Sequence, residues 1–381
     1  MAGIYIHIPF CKQACYYCDF HFSTSLKNKD EMLTAIKREL VLRKEELNKE
    51  QIDTIYFGGG TPSLLTIDEL QMLIDTIYEN YEVVEDAEIT LEANPDDLTS
   101  EKIKELEKTP INRLSIGIQS FFDDDLKFMN RAHSAEESKK CLSEATKYFD
   151  NITIDLIYGV PNMSNKKWLS NLKQAFDFNI LHISAYALTV EEKTVLYKLI
   201  KMGKVPPVDE NLALEHYNIL VEETEKRGYV NYEISNFGKL AYFSRHNTSY
   251  WLGEKYIGIG PSAHSYNGFE RSWNVSNNTK YINALLADEL PSEKEQLTEI
   301  NRFNEYIMTG LRTIWGVSFQ KVEKEFGAMY LEELKKGAER HIKAGLLEIE
   351  LRSFSGDVLV MTKKGKFLAD GIASDLFKIT S

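Results

Sequence analysis

The feature that most narrows the fold of this 381-residue chain is a rhythm. Over roughly the first 190 residues, short β-branched runs alternate with longer amphipathic stretches. Strand patterns run over Ile4–Ile8, Ile52–Phe57, Ala87–Glu92, Arg113–Ile118, Ile152–Ile157 and Leu181–Leu188. Between them lie helical faces, for example Leu33, Ile36, Leu40 and Leu47, then Leu70, Leu73, Ile74 and Ile77. Strand, helix, strand repeated in this way predicts an α/β fold with a parallel sheet and right-handed crossovers. An open doubly wound sheet and a partial (β/α)6 TIM-type barrel both satisfy the pattern, and six units suit the incomplete barrel.

Costly polar residues cluster just after these strands. A cysteine loop follows the first and Gly58-Gly59-Gly60-Thr61-Pro62 the second. Glu92 ends the third, Gln119 follows the fourth, Asp155 lies within the fifth and Tyr186 is near the end of the sixth. In a parallel barrel these positions share the C-terminal mouth, where such folds carry their sites.

The barrel core is expected over residues 1–200. A flanking segment, 201–290, holds a helix near Asp209–Arg227 and an aromatic, glycine-containing stretch from Tyr232 to Tyr266. Residues 291–381 read as several helices with a ribbon of two strands, Leu346–Leu351 and Val358–Met361, in the manner of a winged-helix module. With a formal charge of -13, the chain lacks the surplus of Lys and Arg that phosphate binding demands, so no nucleic-acid partner is expected and this module reads as a lid or docking piece. No apolar run reaches the ~18 residues of a membrane span. The first ten residues lack the features of a signal peptide, and a cytoplasmic location is expected.

Four cysteines, three within one short loop, do not resemble a secreted disulfide framework. Cys11-Lys12-Gln13-Ala14-Cys15-Tyr16-Tyr17-Cys18 lets three thiols converge on one point. A cluster of four irons normally takes four thiolates, so three leave one iron open to a substrate or cofactor. The competing reading is a zinc site or incidental core cysteines. Zinc asks for a fourth Cys or His, and His7, the nearby donor, lies across Pro9 within a strand pattern. Cys141, on a helical pattern, reads as an ordinary buried cysteine.

The CxxxCxxC loop after a first strand resembles the radical SAM superfamily. The resemblance implies a 4Fe-4S cluster on Cys11, Cys15 and Cys18. Its open iron would be chelated by S-adenosyl-L-methionine (SAM), which is cleaved reductively to a 5'-deoxyadenosyl radical. It also implies that Gly58, Gly59, Gly60 and Thr61 form the glycine motif for the methionyl amino group. Glu92, Gln119, Arg131 and Asp155, in the segments LEANP, RLSIGIQSF, RAHS and IDLIYGVP, would be polar contacts to SAM, with Tyr5 beside it. By residue type alone the glycines read equally as a tight turn, and the polar four as strand-end groups satisfying backbone.

Over nearly the whole chain the resemblance narrows to the group that contains oxygen-independent coproporphyrinogen III dehydrogenases and the HemW-type heme chaperones. Dehydrogenases of this group carry a further cysteine two residues after the third ligand, where this chain has Phe20, and an N-terminal extension, whereas here the first strand begins by residue 4. A porphyrinogen oxidase would lack parts. His246-Asn247-Thr248-Ser249-Tyr250-Trp251 matches the HNxxYW pattern of the chaperones, which implies heme binding by His246, Tyr250 and Trp251. Without the resemblance the same residues read as a structural loop, with Tyr250 and Trp251 plugging the core and His246 hydrogen-bonding backbone. The resemblance further implies heme transfer to a respiratory apoprotein. Peripheral membrane contact is compatible with a membranous acceptor, although no basic amphipathic helix requires it, and the sequence leaves a homodimer open.

Overall fold

A computed structural model describes residues 1–47, 49–353 and 355–379. The six anticipated strands form as β1 (Ala2–Ile8), β2 (Ile52–Gly59), β3 (Val83–Ala93), β4 (Arg113–Gln119), β5 (Ile152–Tyr158) and β6 (His182–Ala187). They are hydrogen-bonded in sequence order and all parallel. Sequential parallel order with a helical crossover at each step is the (β/α)6 partial barrel. On β1 the alternation of side chains sets the layers. Ile4, Ile6 and Ile8, fully buried, join the hydrophobic core that also includes Met32, Ile36 and Leu40 of the first crossover helix. Gly3, Tyr5 and His7 face the interior, beside His246, Tyr56 and Gly59.

The helices start where the sequence offers caps. Thr66 with Glu69 and Ser134 with Glu137 form reciprocal capping boxes at the heads of Ile67–Asn80 and Ala135–Ala145. Cys141 lies buried on the second of these. The first helix, Lys29–Leu42, ends before Leu47, which is nevertheless buried. Arg43 terminates it by turning inward, where it bonds Glu39 of the preceding turn (2.9 Å), Glu46 (2.7 Å) and the Gly258 carbonyl (2.8 Å).

Residues 201–290 are richer in strands than their sequence suggests. β7 (Val230–Glu233) and β8 (Asn236–Gly238) pair beside β6. β9 (Lys255–Ile259) runs parallel to β1 on the opposite edge and continues through β10 (His264–Tyr266), β11 (Glu270–Asn274) and β12 (Ser292–Gln296) into a 12-stranded sheet. Most of these runs of a few residues carry glycine or charge, and none alternates cleanly. β12 is an exposed edge with the sequence SEKEQ, whose charges discourage pairing with another chain. Between β8 and β9 the chain must pass from one lip of the open barrel to the other, and the helix Arg245–Leu252, bearing the HNxxYW residues, makes that passage.

A second hydrophobic core, centred on Phe303, Ile307, Leu334, Leu347, Leu359 and Ile372, belongs to the C-terminal region. Here β14 (Leu347–Arg352) and β15 (Gly356–Met361) are joined by a strand of two residues, β13 (Val317–Ser318), in antiparallel order β13-β15-β14. With the helices Glu299–Leu311, Phe319–Phe326 and Ala328–Lys343, this helix–strand–helix–helix–ribbon order is winged-helix-like. The third strand is too short to leave a period in the sequence.

Candidate functional site

The mouth of the barrel is built around the return of the cysteine loop. Ser23 donates its N–H to the Pro9 carbonyl (2.9 Å) and accepts at its own carbonyl from Cys11 N–H (3.0 Å), so residues 11–22 form a closed excursion from the end of β1. The loop is pinned along its length. Lys12 pairs with Asp96 (2.9 Å) and Asp97; Gln13 Nε2 donates to the Asn130 carbonyl (2.9 Å); Asn130 Nδ2 donates to the Ala14 carbonyl (2.8 Å); and Tyr16 N–H donates to the Met129 carbonyl (3.1 Å). Asn130 manages this with a left-handed backbone, φ 57°, which Asn tolerates better than most residues.

All four cysteines are free, and Cys11, Cys15 and Cys18 are half-buried. Burial pushes the Cys18 thiol up to about 11, with contributions from Cys15 and Cys11, and also raises Cys11, with a contribution from Cys15, so the three lie within electrostatic reach of one another. Among the described residues no three His, Cys, Asp or Glu side chains are gathered tightly enough for a single metal ion. A cubane, whose thiolates bind separate irons, asks for wider spacing than mononuclear zinc. Arg131 stands against the loop, its Nη1 3.4 Å from both Cys15 Sγ and Tyr17 Oη, while Nη2 donates to Asn94 Oδ1 (2.6 Å) and the Gly117 carbonyl (3.0 Å).

The glycine triplet earns its composition from close approach. A Cβ on Gly60 would come within 2.6 Å of the Phe10 carbonyl, and one on Gly59, at φ 108°, within 2.5 Å of the His7 ring. On Gly58 it would meet Tyr5, Tyr56 and the Glu92 carboxylate. The triplet thus lets β2 pass under the cysteine loop, and Thr61 next to it is buried against Cys11 and Asn94.

Glu92 is held between Tyr56, whose hydroxyl donates at 2.8 Å, and the Gly59 N–H at 3.2 Å. Burial, with a contribution from Asp155, raises its pKa to about 7, and burial raises Asp155 to about 6. Neither carboxylate has a cation within ion-pair distance among the described residues. Arg113 lowers both, and Arg131 lowers Asp155, only from beyond ion-pair distance, so two half-buried acids without a close counter-charge at an open mouth suit a cationic ligand such as a sulfonium or ammonium group. Gln119 closes β4 with φ 62°, an unusual conformation for a non-glycine residue. Tyr5 lies on the floor, its ring stacked with that of Tyr56 at 6.1 Å, its hydroxyl 3.2 Å from His7 Nδ1. His7 Nε2 bonds the His21 carbonyl (2.9 Å), which fixes the proton on Nε2, and burial lowers its pKa to about 4.

The HNxxYW residues lie at the other end. Thr54, early on β2, sits 2.7 Å from His246 Nδ1, and the N–H groups of Arg245 and His246 donate to Glu88, four residues before Glu92 on β3 (3.1 Å each). At the rise of a parallel strand, Thr54 is about 16 Å below Gly59. His246 is buried, stacks on Tyr56 (4.9 Å) and hydrogen-bonds the Tyr250 hydroxyl through Nε2 (2.7 Å). Both ring nitrogens therefore have side-chain partners, not the backbone partner that a structural loop suggested. Burial lowers its pKa to about 3, so the imidazole is neutral. Trp251 lies under the Arg312 guanidinium (5.2 Å), which also reaches Glu233 (3.4 Å) and Asp370.

Three residues of the mouth were not singled out by sequence reasoning: Tyr56, Asn94 and Asn130. Asn94 falls inside the quoted LEANP segment, and its place directly after a strand that ends in Glu92 was the available signal. Tyr56 is indistinguishable in sequence from any strand aromatic, and Asn130 from any turn asparagine.

A parallel partial barrel with a three-cysteine loop at its mouth defines a radical SAM protein, and the model of the Radical SAM superfamily matches residues 5–175. The model of the HemN C-terminal domain matches residues 297–368. The heme chaperone HemW of Bacillus subtilis is 34% identical over 98% of this chain and 98% of its own length. That of Mycobacterium tuberculosis is 32% identical over 98% and 94%. The chain belongs to the HemW family. The solved coproporphyrinogen III oxidase of Escherichia coli, a radical SAM enzyme, shares the fold, with a TM-score of 0.85, 22% identity and coverage of 99% of this chain and 90% of that one.

Proposed function

We propose that this protein is a radical SAM heme chaperone that binds heme and passes it to a respiratory apoprotein in the cytoplasm or at its membrane face. The observation that carries the reading is the end-to-end likeness to curated heme chaperones, which leaves no region of either chain unmatched by more than a few per cent. Phe20 agrees with it. At the position where the dehydrogenases carry a further cysteine, this side chain is 70% exposed, so it is neither a ligand nor a packing residue. No helix of the described residues is long and apolar enough to cross a membrane, and contact with a membranous acceptor would be peripheral. A homodimer is compatible with this reading.

In this reading Cys11, Cys15 and Cys18 hold a 4Fe-4S cluster. When bound, the reduced cluster supplies the electron that cleaves SAM. The chain itself does the rest by position and charge. Arg131 places a half-buried positive charge against Cys15, opposing the negative charge of the thiolates. Glu92, oriented by Tyr56 and Gly59, meets the ammonium or sulfonium charge of SAM, while Asp155 offers acceptors to ribose hydroxyls. Gly58, Gly59, Gly60 and Thr61 bring backbone up to the methionyl group, Gln119 borders it, and Tyr5 forms the floor. Of the heme residues, Tyr250 and Trp251 contribute aromatic surface. His246, with both nitrogens occupied, would reach iron only by giving up Tyr250 or Thr54, so its part is to set Tyr250.

The deciding experiment is an anaerobic titration of the reconstituted protein with heme, run beside a coproporphyrinogen III assay on the same sample. A shifted Soret band with no protoporphyrinogen is expected. Porphyrinogen product without heme binding would replace the chaperone by an oxidase, and methionine with 5'-deoxyadenosine after dithionite reduction reports whether SAM is cleaved at all.

A further inference from the structure

Behind the HNxxYW helix a cavity of about 280 Å³ opens where the sheet extension meets the C-terminal module. One wall is Tyr250 and Trp251 with Tyr256 of β9, and the facing wall is Tyr306 and Phe326 from two helices of the winged-helix-like module. Such a slot between aromatic faces suits a flat ligand.

Its charge is equally specific. Arg302 lies over the rings of Phe269 (5.0 Å) and Phe326 (6.0 Å), its Nε is buried without a hydrogen-bond partner, and no carboxylate is within ion-pair distance of it among the described residues. Arg271 is paired with Glu305, Lys321 lies over the Tyr306 ring (4.5 Å) and Glu325 adds a second acid, so the lining carries three cations against two carboxylates. In a chain with 58 acidic residues to 45 basic ones, a guanidinium left unpaired in an aromatic slot marks a place for an anion from outside. The volume falls at the lower end of small-molecule pockets, enough for the edge of a macrocycle and its acidic arms but not for the whole ring.

We infer that this cavity seats the carboxylate-bearing edge of the heme, with Arg302 as the counter-charge, so that the C-terminal module supplies half of the heme seat. The inference rests on the heme-chaperone reading above. It also gives His246 a place in heme handling without iron ligation, because the cavity wall Tyr250 is one hydrogen bond from it.

The test is a Soret titration of the full-length protein with heme and with heme dimethyl ester, whose carboxylates are blocked, repeated on Arg302→Gln. Wild-type protein should bind heme at least tenfold more tightly than the ester. Arg302→Gln should lose that preference, binding both alike, with melting temperature and iron content unchanged. Equal wild-type affinity for heme and ester overturns the inference even if the variant fails to fold. A preference that survives in Arg302→Gln places the carboxylates elsewhere and overturns it too. In both cases the chaperone reading stands, whereas failure of wild-type protein to bind either porphyrin sinks that reading itself.

Discussion

Both ends of the barrel hold histidine, tyrosine and acidic side chains, yet they treat them differently. At the C-terminal mouth, groups are left in want of a partner: Glu92 and Asp155 have no cation within ion-pair distance among the described residues, burial raises the Cys11 and Cys18 thiols, and Gln119 keeps a left-handed backbone. Around the His246 ring, at the N-terminal end, the polar groups are closed on one another. Glu88 caps the HNxxYW helix, His246 is bonded on both sides, and Arg245 pairs with Asp53. Unsatisfied chemistry points to ligand and satisfied chemistry to architecture. A motif associated with heme therefore does structural duty through its histidine and presents its aromatics, Tyr250 and Trp251, to a different cavity.

The largest effect should come from the mouth. Cys15→Ala removes a proposed cluster ligand, and iron and sulfide content and 5'-deoxyadenosine formation should fall to background after reconstitution. His246→Ala should do the opposite: iron content is kept, but the fold loses about 2–4 kcal/mol in denaturant unfolding, from a buried cavity plus two stranded partners. Cluster loss in His246→Ala at unchanged stability would erase the contrast between the ends.

A third effect is pH-dependent. Because the folded pKa of Glu92 lies near 7, above the ordinary carboxylate value of 4.5, the folded state binds the extra proton between those limits. Its contribution to stability is thus fully present below about 4.5 and is lost as pH rises through about 7. Glu92→Gln should flatten this decline in the cluster-free protein. In the reconstituted protein SAM should bind more tightly as pH rises through 7, as the ionised carboxylate meets its positive charge, and Glu92→Gln should abolish that rise, measured by calorimetry. The smallest effect is expected at Asn130. Asn130→Ala gives up a hydrogen bond to the cysteine loop and the tolerance for φ 57°, about 1–2 kcal/mol, and should speed iron loss to a chelator several-fold. Asn130→Gly, which accepts that φ but lacks the amide, separates the two causes.

Much of the mouth was legible because each of its parts follows a strand. Cys11, Gly58, Glu92 and Gln119 are ordered along the chain as they are around the barrel, so periodicity located them and parallel topology gathered them. The HNxxYW end was not legible in the same way. His246 meets Thr54 and Glu88 across more than 150 positions of chain, and nothing local announces that both its nitrogens are filled. Arg302 is similar: on a helix it reads as a solvated charge, and only its seat over Phe269 and Phe326 reveals that it has no acid to pair with among the described residues.

The sequence by itself determined the βα order, the parallel sheet and the loop that offers three thiols, since local periodicity, caps and turn residues dictate those through nearest neighbours. Tertiary structure alone decided which polar groups would be left unsatisfied. Burial and counter-charge depend on what the distant chain brings alongside, as when the strands of residues 230–274 extend both lips of the barrel and the helix between them fills its lower end.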